Sequence, residues 1–171
     1  SEEEEIEKAL RDWREELKRL LETIERLLRE WKRRVEELKK RIEEALKELK
    51  KILDDKGVPE EVRKEIEERI RRLRRRVEED EETVDREIRK IEEHVKRDAT
   101  EVDKLIRELK KRREDVEEVK KKLEKEIKKN RENVDRLRRR LEEEVKRNER
   151  SVEEIKRRLD EIARELDERK K

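Results

Sequence analysis

Residues 6–23 read IEKALRDWREELKRLLET and residues 24–41 read IERLLREWKRRVEELKKR. Laid one over the other, they place apolar side chains at the same steps: Ile6, Leu10, Trp13, Leu17 and Leu20, then Ile24, Leu28, Trp31, Val35 and Leu38. Ile42, Leu46, Leu49 and Leu53 continue the series. Offsets alternating between four and three residues trace one face of a helix. The 18-residue shift between copies is five turns at about 3.6 residues per turn, so the stripe returns to the same side without drifting. A strict 7-residue repeat imposes a left-handed supercoil and an 11-residue repeat a right-handed one; the 18-residue period is their sum and predicts helices with almost no supercoil.

The period persists through the chain. Ile66, Ile70, Leu73 and Val77 are followed by Val84, Ile88, Ile91 and Val95, then by Val102, Ile106 and Leu109. A third series runs Val116, Val119, Leu123, Ile127, then Val134, Leu137, Leu141, Val145, then Val152, Ile155, Leu159, Ile162. These give three helices over 2–54, 59–112 and 115–170, each roughly 80 Å long at about 1.5 Å per residue. The expected fold is all-α: one antiparallel three-helix bundle over residues 1–171, coiled-coil-like but nearly untwisted.

The two turns differ in quality. Asp54-Asp55-Lys56-Gly57-Val58-Pro59-Glu60-Glu61 offers a glycine for a helix C-cap and a proline suited to a first helical position. Lys110-Lys111-Arg112-Arg113-Glu114-Asp115-Val116 has neither. Cations ending one helix, acids starting the next, and Asp115 with Glu118 as a capping box suit a second turn. An unbroken helix through Asp115 would instead exchange third helices between two chains, as a domain-swapped homodimer. The reading taken is the single-chain monomer, with helix exchange near Asp115 as the alternative.

Composition narrows the functions. Of 171 residues, 57 are Lys or Arg and 55 Asp or Glu, so 65% are charged while the formal net charge is only +2. Low hydrophobicity favours disorder when net charge is also high, and here it is not. With no Cys, one Gly and one His, thiolate sites, Gly-rich phosphate loops and His-based triads are excluded. No apolar run approaches a membrane span, and no signal-peptide core is present, so a soluble chain with no targeting address is expected. His94, flanked by Glu92 and Glu93, reads as a surface or boundary histidine, because zinc sites need three or four converging ligands; no metal and no cofactor are expected. Carboxylate runs such as Glu60-Glu61 and Glu142-Glu143-Glu144 lack the cleft that acid–base catalysis requires, so no catalytic residues are assigned. Basic runs at Arg71 to Arg76, Lys110 to Arg113 and Arg138 to Arg140 are interleaved with acids and have no aromatic for stacking, which argues against nucleic acid.

The informative residues are polar ones inside the stripes: Asp80, Asp98, Asn130 and Asn148. A turn near residue 114 sets Asp98 beside Asn130 and Asp80 beside Asn148, and the first turn brings Trp13 level with Asp98 and Trp31 level with Asp80. Where Trp gives way to Leu49, Asp becomes Val62 and Asn becomes Leu166, so all three change together. Two hydrogen-bonded layers are therefore expected, Trp13-Asp98-Asn130 and Trp31-Asp80-Asn148, with an apolar Leu49-Val62-Leu166 layer beyond; the alternative places Asp and Asn at a solvated stripe edge. Thr83, Asn133 and Ser151 read as boundary positions within helices, and Thr100 as a place where the second helix could break.

The 18-residue repeat, the Glu/Lys/Arg coat, the Gly57-Val58-Pro59-Glu60-Glu61 turn and a Leu/Ile/Val core without Met or Phe together resemble computationally designed, idealised helical bundles. The resemblance spans the chain and implies a structural scaffold, a rigid helical rod with no natural substrate, cofactor or required partner. The second turn departs from that style, since a designed loop ordinarily carries Gly, Pro or Ser. A natural spectrin-like spacer or interaction module is the other reading, and the regular 18-residue register argues against it.

Overall fold

The computed structural model describes residues 2–54, 57–109 and 116–170. Three long helices make up the fold: α1 (Glu2–Leu53), α2 (Glu60–Leu109) and α3 (Val116–Lys170). They form an all-α three-helix bundle, with no strand among the described residues. Good helix formers fill the exposed positions, and Gly57 and Pro59 are the chain's only glycine and proline, so nothing inside a helix interrupts it. The expected second turn, including the residues around Asp115, lies outside the described residues. α2 is continuous through Thr100, whose hydroxyl donates back to the Lys96 carbonyl at 3.0 Å, so the break considered there does not occur.

The chain separates into two compact units, each built from part of every helix. One comprises Ser1–Glu30 and Asp85–Arg140; the other comprises Trp31–Val84 and Leu141–Lys171. In the first unit, Arg14 meets Asp103 at 3.0 Å between α1 and α2, Arg131 meets Glu16 between α3 and α1, and Arg140 meets Glu87 between α3 and α2. In the second, Lys39 pairs with Glu81 at 2.9 Å and Arg74 with Glu43 at 2.8 Å, so α2 descends as α1 ascends. Arg34 with Glu142 at 2.6 Å and Lys156 with Glu44 at 3.8 Å set α3 parallel to α1.

Burial repeats with the sequence. In α2, Ile66, Val84 and Val102 are buried at successive repeats, as are Ile70 with Ile88 and Val77 with Val95. In α3 the same holds for Leu123, Leu141 and Leu159, and for Val134 with Val152. α1 departs slightly: Leu27 and Ala45, themselves one repeat apart, are buried, whereas Leu28 and Leu46 are half-buried. Residues at three and four steps from Ile24 flank the same stripe, and α1 is turned toward the first of them. No large hydrophobic side chain is exposed among the described residues.

The end of α1 is closed differently from the expected glycine cap. Gly57 has no positive φ, so it is not the left-handed residue of such a cap. Instead, Arg63 on the first turn of α2 donates from its guanidinium to the Leu53 carbonyl at 3.3 Å. Pro59 sits just ahead of α2 and its carbonyl accepts the Arg63 amide at 3.1 Å, a place where its missing N–H costs nothing. Glu60 and Glu61 in the first turn of α2, and Lys50 and Lys51 in the last turn of α1, complement the helix dipoles.

Ile66→Ala, at a fully buried position, is expected to lower unfolding free energy by about 2–5 kcal/mol. Arg63→Ala should cost only about 1 kcal/mol, the worth of one hydrogen bond. Denaturant melts of both variants check the ordering.

Candidate functional site

Four polar residues on the buried stripes form two pairs, one in each unit. In the first unit Asn130 is fully buried, and its Nδ2 donates to Asp98 Oδ2 at 2.6 Å. In the second, Asn148 is 1% exposed and its Nδ2 donates to Asp80 Oδ2 at 3.1 Å. Both Asn amide oxygens are buried without a hydrogen-bond partner. These are the residues that the sequence singles out, and the structure places each Asp beside its Asn.

The tryptophans do not complete the layers. Trp31 is 2% exposed and its buried indole Nε1 has no hydrogen-bond partner among the described residues; Trp13 is half-buried. The three-residue networks expected from the sequence are thus two-residue Asn–Asp pairs, with Trp31 serving as apolar bulk. In the apolar layer, Leu49 and Leu166 are buried and Val62 is half-buried.

The two pairs have different surroundings. Asp80 is half-buried and lies 3.6 Å from the Arg147 guanidinium. Asp98 is only 9% exposed and forms no ion pair with a Lys or Arg among the described residues. Burial pushes its carboxyl above the usual value of 3.8; the Asn130 hydrogen bond opposes that shift, the Glu126 charge adds to it, His94 opposes it, and Glu101 adds to it. One turn before Asp98, His94 Nε2 lies 3.0 Å from Glu126 Oε2 on α3. His94, Asp98 and Glu126, with Arg97, Glu101, Lys122 and Leu123, line an open cleft of about 300 Å³. The sequence set His94 apart from any ligand group; the structure brings it within reach of two carboxylates.

The remaining candidates are engaged locally. Arg72 pairs with Glu68 at 2.6 Å, Arg76 donates to Ser151 Oγ at 2.6 Å, and Arg140 meets Glu87, so these cations of the basic runs are met by neighbours. The run from Lys110 to Arg113 lies outside the described residues. Thr83, Asn133 and Ser151 fall inside helices. No helix among the described residues is long and apolar enough to cross a membrane. No protein family, curated protein or solved structure matches this chain.

Asp98 carries a consequence for stability against pH. Its folded-state pKa lies above the unfolded value, so its contribution to stability is present below the unfolded carboxylate range and lost as pH rises through the folded one. Asp98→Asn keeps an oxygen to accept from Asn130 and removes the buried charge. The variant should be more stable than the parent at pH 7, with the gain shrinking as pH falls through the carboxylate range, in urea melts at each pH.

Proposed function

We propose that this chain is a structural scaffold, a designed and idealised helical bundle whose purpose is its own fold, without catalytic activity and with no required partner. The observation that supports this reading best is the recurrence, repeat after repeat along each helix, of the same buried positions, including one Asn–Asp pair in each unit. Binding and catalytic residues fall disproportionately on loops placed by a rigid frame. Here the frame itself is the repeated motif, and charged side chains pair both along a helix, as in Arg72 with Glu68, and between helices, as in Arg34 with Glu142.

In this reading the helices are nearly untwisted, the Asn–Asp pairs fix which residues of α2 and α3 face each other, and the balanced coat keeps chains apart. A slip of α3 along α2 would leave a buried carboxylate and a buried amide without partners, at a cost of about 1–3 kcal/mol for each stranded group. An apolar stripe alone penalises such a slip less, because Leu, Ile and Val exchange for one another at modest cost.

The self-contained chain is tested by light scattering joined to thermal unfolding followed by near-UV tryptophan signals. A mass of 21.5 kDa that does not change with dilution, and one cooperative transition, are expected. Twice that mass at low concentration would replace the monomer with the exchanged dimer. Salt-sensitive retention on heparin would overturn the absence of a nucleic-acid partner.

A further inference from the structure

We propose that His94, Asp98 and Glu126 form a solvent-open, three-ligand site for a divalent transition-metal ion of the zinc type. The ligand atoms of the three side chains all lie within 4.8 Å of one another. Two donors held at about 2.0–2.2 Å from one zinc ion are at most about 4.4 Å apart, so small rotamer changes bring all three onto a single ion. An imidazole nitrogen with two carboxylate oxygens is a donor set that zinc accepts, and the remaining position faces the cleft, where water can fill it.

The environment of Asp98 points to a cation independently of that spacing. Asp98 is 9% exposed as a residue and lines the cleft. One oxygen takes the Asn130 amide and the other has no partner among the described residues. The corresponding Asp80, one repeat earlier, has the Arg147 guanidinium 3.6 Å away; Asp98 has no such contact. The repeat sharpens the contrast, because the slot that holds His94 is filled by Arg76 in the preceding copy. A fixed guanidinium in one unit is replaced in the other by an imidazole, which can be neutral and act as a metal ligand. Two carboxylates and an imidazole nitrogen are thereby gathered together, and Asn130 holds Asp98 in place as an outer-shell partner does for a metal-bound carboxylate.

His94 is the chain's only histidine, so its ring resonances report this site alone. Tag-free protein is titrated with zinc chloride, with ring signals followed by NMR and affinity measured by calorimetry. One zinc ion per chain should shift the His94 signals, and Asp98→Asn and Glu126→Gln should each weaken binding by at least about tenfold, as losses around metal ligands do. Asp80→Asn should leave it unchanged. Circular dichroism establishes that each variant is folded before titration. Unmoved His94 signals at millimolar zinc, or an affinity unchanged by either Asp98→Asn or Glu126→Gln, would overturn the site.

Discussion

Each helix here has a single face on which it can bury side chains, and every other feature follows from keeping that face fixed from one end of the helix to the other. About 100° per residue brings the chain back to its starting direction after five turns. Leu123, Leu141 and Leu159 are therefore buried alike, as are Ile66, Val84 and Val102. Only a narrow part of each helix is then available for apolar residues, which explains how 28% hydrophobic content can fill a core without leaving a large hydrophobic side chain exposed among the described residues. The remaining circumference must be wetted. Interleaving Glu with Lys and Arg does that, and places opposite charges within reach both along a helix, as in Arg72 with Glu68, and between helices, as in Arg34 with Glu142.

Polar residues on the buried face use the same geometry for another end. An Asn–Asp pair supplies one hydrogen bond and leaves the Asn oxygen without a partner in both units, so it contributes little net stability compared with two leucines. Its effect is selective. Apolar residues tolerate many partners, whereas an amide donor and a carboxylate acceptor lose heavily when separated. The pairs differ in how the carboxylate charge is met: Asp80 reaches Arg147 and retains solvent, while Asp98 is enclosed against Asn130 and pushed toward protonation by burial.

The stripes and the Asn–Asp partners were legible because both depend on helical period and on position relative to the turns. What was not legible depends on side-chain direction. The end of α1 is closed by Arg63 reaching back from α2, and no helical period marks one arginine among many as the one that caps. Trp31 shows the converse: its position suits a layer, yet its Nε1 meets no acceptor, because being level does not aim a ring. His94 and Glu126 are instructive in the same way. Pairing residues by equal height across a turn near residue 114 sets His94 against Val134, about two helical turns from Glu126. The His94 and Glu126 side chains nevertheless meet at 3.0 Å, a contact that equal-height matching does not contain.

Repetition also changes what counts as a signal. In an irregular protein a lone histidine beside acids carries little information, since such neighbours occur on most surfaces. In a chain whose positions recur with a fixed period, each slot has an internal reference, and a departure from it can be weighed. Arg76 and His94 share a slot, as do Asp80 and Asp98, but their partners differ: Arg76 donates to Ser151 Oγ, whereas His94 meets the Glu126 carboxylate. The exchange sets an imidazole in place of a guanidinium near a more deeply buried carboxylate. Regular packing keeps both slots on comparable backbone, so the contrast lies in the side chains and the partners they meet.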